Sequence, residues 1–331
     1  MSNTPFRHRL VALVPAVIGS SLAAQTLPTG EVSGQNVLGR ASEAPLYSGT
    51  ATLGYGNGEI EGEDFDRRSL MLSGDVAFGR RPDAGFGAEL RLDLETLEAD
   101  GELDLSGFSV APRYRYNYGG ELGVYFERTG FSGPDDDLRF NSYGVTGGYD
   151  YSFSDFEVYY GRIEAIGDLE GEDTGTEYGA RYAARPMPEA VIGGLWGRTE
   201  IDGEGINVLG LGGAYSRGQL TLFGGITRAS LDDLGGIDEY SGTALGIGAG
   251  YDLGGVAGLP LMASVEYVDR NLRLEGGGEE FDGDGHEIRL GLSLPFGAQS
   301  AVSPPQSSVA GSVIDGGRSA FGNNLTSLFG F

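Results

Sequence analysis

The chain lacks cysteine and lysine entirely and carries only two histidines among its 331 residues. Without cysteine there is no disulfide scaffold, no CxxC zinc site and no thiol nucleophile. Without lysine, all 22 basic residues are arginine, set against 48 acids for a net charge of -26. So acidic a surface repels phosphate and excludes nucleic acid as a partner. Missing too are the long helix-period patterns of an ordinary α/β enzyme and any run of the roughly 20 apolar residues that a membrane-spanning helix needs. What is abundant is glycine, 60 residues of it, with 17 tyrosines and 16 phenylalanines.

The first residues read as an export signal. Arg7, His8 and Arg9 form a basic start, Leu10 to Leu22 an apolar stretch interrupted by Pro15, and Ser21-Leu22-Ala23 a small-residue cleavage site. Residues 1–23 are therefore expected to be a signal peptide, and 24–45 an extension on the periplasmic side.

From Tyr47 onward apolar residues alternate with polar ones. Arg68, Leu70, Leu72, Val76 and Phe78 fall on one face and Arg67, Ser69, Ser73 and Asp75 on the other. Phe86, Ala88, Leu90, Leu92 and Leu94 likewise oppose Gly87, Glu89, Arg91, Asp93 and Glu95. The same split separates Leu122, Val124 and Phe126 from Glu121, Gly123, Tyr125 and Glu127, and Tyr178, Ala180 and Tyr182 from Glu177, Gly179 and Arg181. Less regular stretches near Phe108, Phe156, Val191 and Gly210 fit with a bulge or a glycine step. The pattern predicts an all-β, antiparallel up-and-down transmembrane barrel over residues 46–297, of about fourteen strands by its spacing, with twelve or sixteen as alternatives.

Connections fall into two alternating classes. Short ones lie at Arg80–Ala84, Tyr118–Gly120, Ser152–Asp155, Arg185–Glu189, Arg217–Gly218 and Asp252–Leu259. Longer acidic ones lie at Asn57–Asp66, Thr96–Asp104, Gly130–Leu138, Gly167–Gly175, Asp202–Gly205, Ser230–Glu239 and Glu275–Gly285. Alternation puts all the acidic connections at one end, expected to be extracellular, and both termini at the other. Aromatic residues such as Tyr47, Tyr55, Phe86, Tyr114, Tyr151, Phe156, Tyr178, Tyr251 and Phe296 gather near strand ends, where a headgroup girdle would sit.

The last alternating segment reads Arg289-Leu290-Gly291-Leu292-Ser293-Leu294-Pro295-Phe296. Its Arg289, Gly291, Leu294 and Phe296 match the polar-x-Gly-x-x-hydrophobic-x-aromatic signal of closing strands, and the chain from Tyr47 resembles the Gram-negative porins and porin-like outer-membrane proteins. The resemblance implies an outer-membrane location, contact with lipid and lipopolysaccharide, and folding by the barrel assembly machinery, which docks to that final strand. Members of that group commonly end at the aromatic residue. Here residues 298–331 continue, with Ser303-Pro304-Pro305, Gly316-Gly317 and Asn323-Asn324, and read as a low-complexity periplasmic tail. Docking through Leu325, Leu328, Phe329 and Phe331, either to plug the lumen or to bind a periplasmic partner, is the alternative.

About fourteen strands enclose more space than side chains fill, so a water-filled passage for small polar solutes is expected. Alternation assigns to its wall Arg67, Arg91, Arg113, Arg115, Arg181, Arg185, Arg198, Arg270 and Arg289, with Glu89, Asp93, Glu121, Glu127, Glu157, Glu266 and Glu287. Opposed charges there set up a transverse field, and the acidic rim favours cations mildly. Asp135, Asp136, Asp137, Asp282 and Asp284 offer hard oxygen ligands for loosely bound Ca²⁺ or Mg²⁺, without the spacing of an EF-hand, and no other cofactor is expected. An enzyme of this kind would need a histidine base, and beyond the leader only His286 remains, on the face of Ile288, Leu290 and Leu292. The competing function is a non-conducting barrel with a structural or surface-binding role.

Overall fold

The computed structural model describes residues 47–319, apart from 61, 79–83, 100, 134–136, 152, 168–173, 202–203, 235–236, 255–259, 277–278 and 298–302. The proposed signal peptide, the 24–45 extension and residues 320–331 lie outside the described residues.

Fourteen strands make one closed antiparallel sheet. In chain order they are β1 (Tyr47–Ile60), β2 (Glu63–Phe78), β3 (Gly85–Glu98), β4 (Glu102–Arg115), β5 (Gly120–Ser132), β6 (Asp137–Tyr151) and β7 (Ser154–Gly167). There follow β8 (Thr174–Met187), β9 (Ala190–Ile201), β10 (Glu204–Arg217), β11 (Leu220–Leu234), β12 (Ile237–Asp252), β13 (Met262–Gly276) and β14 (Glu279–Gly297). Each strand pairs with its chain neighbours, and β1 pairs with β14 from Ser48↔Gly297 to Ile60↔Gly285, which leaves no open edge. An open edge would carry unpaired amides into hydrocarbon, so closure is what makes the sheet compatible with a membrane.

The acidic connections are largely strand. β1 and β2 stay paired up to Ile60↔Glu63, and β13 and β14 up to Gly276↔Glu279, so these stretches form arms that continue the ladder. Strands run from 12 to 19 residues, longer than the roughly 9–11 needed to cross a bilayer. Backbone pairing is weaker in water than in lipid but still net favourable once the ladder has begun, and the acidic side chains only require that it project into water. At the other end, links such as Arg217–Leu220 are tight, with Gly218 at φ 65, a left-handed geometry that suits glycine and matches the twist of a two-residue hairpin.

Side-chain alternation is realised as predicted on the strands other than β9. Leu53, Leu72, Leu90, Leu122, Val145, Leu211, Ile247 and Leu290 form an exposed outward band that only a lipid phase would cover. Aromatic rings edge it at the tight-turn end, where Phe86 packs on Tyr114 at 4.9 Å and Tyr149 on Tyr151 at 4.4 Å between ring centres. At the acidic end the outward groups are paired polar ones: Tyr55 donates to Asp66, Tyr143 to Glu164 and Thr96 to Asp104. His286 lies exposed on this outward face, where alternation places it.

Leu211→Arg, at an outward position 59% exposed, is expected to cost about 2–4 kcal/mol if it lies near the bilayer midplane. Urea titration in lipid vesicles, followed by the mobility difference between boiled and unboiled protein on gels, measures this, with Arg68→Ala at the outward rim as the near-neutral control.

Candidate functional site

Fourteen strands ~4.8 Å apart and tilted by ~40° give a circumference of roughly 88 Å, hence a backbone diameter of roughly 28 Å. Subtracting inward side chains leaves a bore that one helix, about 10–12 Å across with its side chains, would fill. The chain supplies such a helix. Residues 303–319 follow the closing strand, and within them α1 (Val309–Ile314) packs on β8, β9, β10, β11 and β12. The same segment bonds to β2, β3, β5, β7, β13 and β14. Contact with strands all round a closed cylinder is geometrically open only to a segment inside it. The expectation of a periplasmic low-complexity tail is thus corrected for residues 303–319, which line the interior and are mostly buried.

Local chemistry explains how the tail folds. Pro304 and Pro305 stiffen the approach, Ser308 Oγ caps α1 by accepting from the Gly311 amide at 3.0 Å, and Val309, Ala310, Val313 and Ile314 make its apolar side. That side meets Val191, Ala214 and Phe223 in one patch, Leu195 and Val208 in a second, and Ala244 and Val268 in a third. Glycines make the seat. A Cβ at Gly225 would lie 2.8 Å from the Ala310 nitrogen, and one at Gly212 3.1 Å from the Ala310 Cα, so the helix backbone rests where any side chain would intrude.

Beyond α1 the tail crosses to the opposite wall. Arg318 donates from Nε and Nη2 to the two carboxylate oxygens of Glu157, both at 2.9 Å, and from Nη2 to Glu89 at 2.9 Å. The amides of Arg318 and Ser319 each donate to Glu127 at 2.7 Å. Burial alone would lower the Arg318 pKa, but Glu89, Glu157 and Glu127 hold it well above the ordinary arginine value. Burial raises the Asp315 carboxyl, against the hydrogen bond from Ser303 Oγ at 3.2 Å and the nearby Arg91.

The wall residues form two networks. Toward the acidic end, Glu287 is held by Arg270, by Arg289 at 2.9 Å and by Arg67 at 3.6 Å, with Arg67 also paired to Glu95 and Arg289 3.6 Å from Glu266. Toward the tight-turn end, Arg113 is bound to Asp75 and lies 3.6 Å from Glu89 and 3.7 Å from Glu121, Arg115 joins Glu121 and Asp150, and Arg181 lies 3.1 Å from Glu157. Arg91 pairs with Asp93 at 2.5 Å, and Arg185 faces Asp315. A cavity of about 30 Å³ between Arg91, Asp93, Ser109, Glu127 and Gly317 leaves room for water beside the tail.

One wall assignment is corrected. Arg198 shares the outward face with Ile192 and Trp196, where it pairs with Glu200 at 2.7 Å and donates to Asn207 at 3.1 Å. β9 turns Val191 and Leu195 inward because α1 covers them, so its phase is opposite to a rule that sends apolar residues to lipid. Of the closing-strand residues, Arg289 and Gly291 face inward, while Leu294 and Phe296 share the outward face of Leu290 and Leu292. Asp284 is exposed and accepts from Asn271 at 2.8 Å. Asp135 and Asp136 lie outside the described residues, as do the side chains of Asp137 and Asp282. Among the described residues no three carboxylate or histidine groups converge as metal ligands would. Sequence reasoning missed Arg318, Gly212, Gly225 and the α1 residues. Their signal was a capped apolar run after two prolines, ending in the tail's single cation.

No protein-family model and no curated protein sequence matches the chain. Among solved structures it is similar to a Pseudomonas aeruginosa FadL homologue, at 10% identity over 80% of this chain and 93% of that one, with a TM-score of 0.50. It is also similar to the Acinetobacter baumannii outer-membrane channel DcaP (12% identity, 76% and 96% covered, TM-score 0.47) and to a loop-deletion mutant of the Vibrio cholerae outer-membrane protein OmpT (8%, 77% and 100%, 0.46). At these identities the likeness is one of fold alone, a closed β-barrel of the outer-membrane type.

Glu287→Ala removes the carboxylate that Arg270, Arg67 and Arg289 share in a buried network, and is expected to destabilise the barrel by about 3–5 kcal/mol. His286→Ala, one residue away on the outward face, is expected to change stability by less than about 0.5 kcal/mol in the same urea titration.

Proposed function

We propose that the protein is an outer-membrane channel that passes small polar solutes and mildly prefers cations, with both strand-bearing termini on the periplasmic side. The observation that supports this best is the wall itself. Its inward face carries ionised networks where a dry barrel would carry an apolar core, and among the wall residues named above carboxylates outnumber guanidiniums. Asp75 and Glu89 stay partly exposed, at 38% and 25% of the side chain, so the lumen near the tight-turn end is wet and acidic. Such a wall concentrates counter-cations and orients polar solutes, and its influence falls as salt shortens the Debye length from about 10 Å at 0.1 M to 3 Å at 1 M. The acidic arms outside the membrane add to it and offer Ca²⁺ or Mg²⁺ a loose atmosphere. Assembly would run through the barrel assembly machinery at β14, in contact with lipid and lipopolysaccharide.

A second reading, a non-conducting barrel with a structural or surface-binding role, is favoured by the tail that occupies the bore. Planar-bilayer recording separates the two. Discrete steps with a reversal potential on the cation side in a low-salt gradient, moving toward zero at 1 M salt, are expected. Asp75→Asn combined with Glu121→Gln should reduce the preference with little change in step size. Anion preference at low salt would reject the selectivity, and absence of steps under every condition would reject the channel.

A further inference from the structure

We infer that residues 303–319 are a releasable stopper, a tethered segment that docks in the lumen and leaves it while the barrel stays intact. This regulation rests on the channel reading for its consequence, though not for the docking itself.

Three features carry the inference. First, the three wall arginines that grip the tail backbone stay charge-paired without it. The arginines that grip the tail backbone donate to neutral carbonyls, Arg91 to Asp315 at 2.8 Å, Arg181 to Gly316 at 2.6 Å and Arg289 to Ser307 at 3.0 Å. Each has a carboxylate beside it on the wall: Asp93 for Arg91, Glu157 for Arg181, Glu287 for Arg289. Withdrawal therefore leaves each of these three beside a wall carboxylate, takes Asp315 away from Arg185, and lets water take over the lost hydrogen bonds.

Second, the charged hold is concentrated in one side chain. Arg318 bridges Glu89 and Glu157 at 2.9 Å and is 1% exposed, and both acids keep Arg181 nearby when it departs, at 3.8 and 3.1 Å. Glu127, which receives the two tail amides, is the group that must rehydrate. Third, the apolar hold is small. α1 is six residues long, too short to persist in water by itself; its apolar side chains are Val309, Ala310 and Val313, buried, and Ile314, partly covered, with Pro304 and Pro305 buried ahead of it. The glycine seat admits the backbone of this short helix at Gly212 and Gly225, and its Val309, Val313 and Ile314 side chains rest over Gly246, Gly210 and Gly193. Docking and helix formation are then one event, and an outside influence that weakens the Arg318 contacts shifts both.

The sequence offers a direct test in the full chain. Arg318 is the tail's one tryptic site after Arg289, since the chain has no lysine, and it is shielded when docked. With no native cysteine, Gly193→Cys with Ile314→Cys makes a single bridge. A Cβ at 193 lies 2.8 Å from Ile314 Cγ1, within reach of a disulfide. A second variant, Gly225→Trp, fills the seat and serves as the undocked reference. In detergent, the reduced double-cysteine protein and the wild type are expected to be cut slowly at Arg318, Gly225→Trp rapidly, and the oxidised protein not at all. In bilayers, reduction should turn small or silent recordings into intermittent larger steps, with Gly225→Trp persistently large. If reduced protein resists trypsin as fully as oxidised while Gly225→Trp is cut, docking is permanent and the stopper is overturned. Equal steps before and after reduction overturn it as well. Bridge-dependent cleavage with no steps from either form leaves reversible docking standing and removes the channel reading.

Discussion

Closure of the sheet between β1 and β14 is the constraint from which the other features follow. In hydrocarbon every amide and carbonyl must find a partner within the protein, and a cylinder of strands meets that demand only when its last strand returns to its first. The register from Ser48↔Gly297 to Ile60↔Gly285 does this along almost the whole of β1. Once the cylinder is closed, period-two alternation has only two destinations, lipid and lumen. Leu290 and Leu292 go one way, Glu287 and Arg289 the other. The lumen's charges are thus a consequence of closure as much as of function, and they must pair or stay wet.

Pairing and wetting divide the interior. Near the acidic end, Glu287, Arg270, Arg67 and Arg289 are almost wholly buried and act as a polar core held by their mutual ion pairs. Near the tight turns, Asp75, Glu89, Arg113 and Glu121 keep partial contact with water. The third zone, on β9 to β12, is apolar and glycine-rich toward the lumen, and it is there that α1 lies. A wall with one greasy, smooth sector among charged ones is what an inner segment needs to choose a seat.

Most of the cylinder was legible because lipid imposes a strict polarity rule on alternate residues. Arg67, Glu89, Arg181 and Glu266 obeyed it, as did His286 at the outer face, and the strand count followed from the spacing of the links. The rule lost its force where a strand is apolar on both sides. On β9, Val191 and Leu195 face α1 while Ile192 and Trp196 face outward, so hydrophobicity could not set the phase, and Arg198 was assigned inward against its true position. The arms at the acidic end looked like loops because their side chains are loop-like, whereas pairing is a backbone property and continued past Asn57 and Glu275. The tail was hardest to place. Its composition resembles a solvated extension, and its buried state depends on Gly212, Gly225, Glu127 and Glu157, none of which is near it in sequence.

The tail begins only a few residues past Gly297, at the rim of the cylinder it enters. A segment held that close is present at its seat at an effective concentration in the millimolar range, so an affinity too weak to detect between separate molecules suffices to keep it mostly seated. The intrinsic bond can therefore be feeble while occupancy stays high, and exchange is then governed by the reach of the link between Gly297 and Ser303. Lengthening or stiffening that link would tune occupancy without altering a single contact inside the barrel.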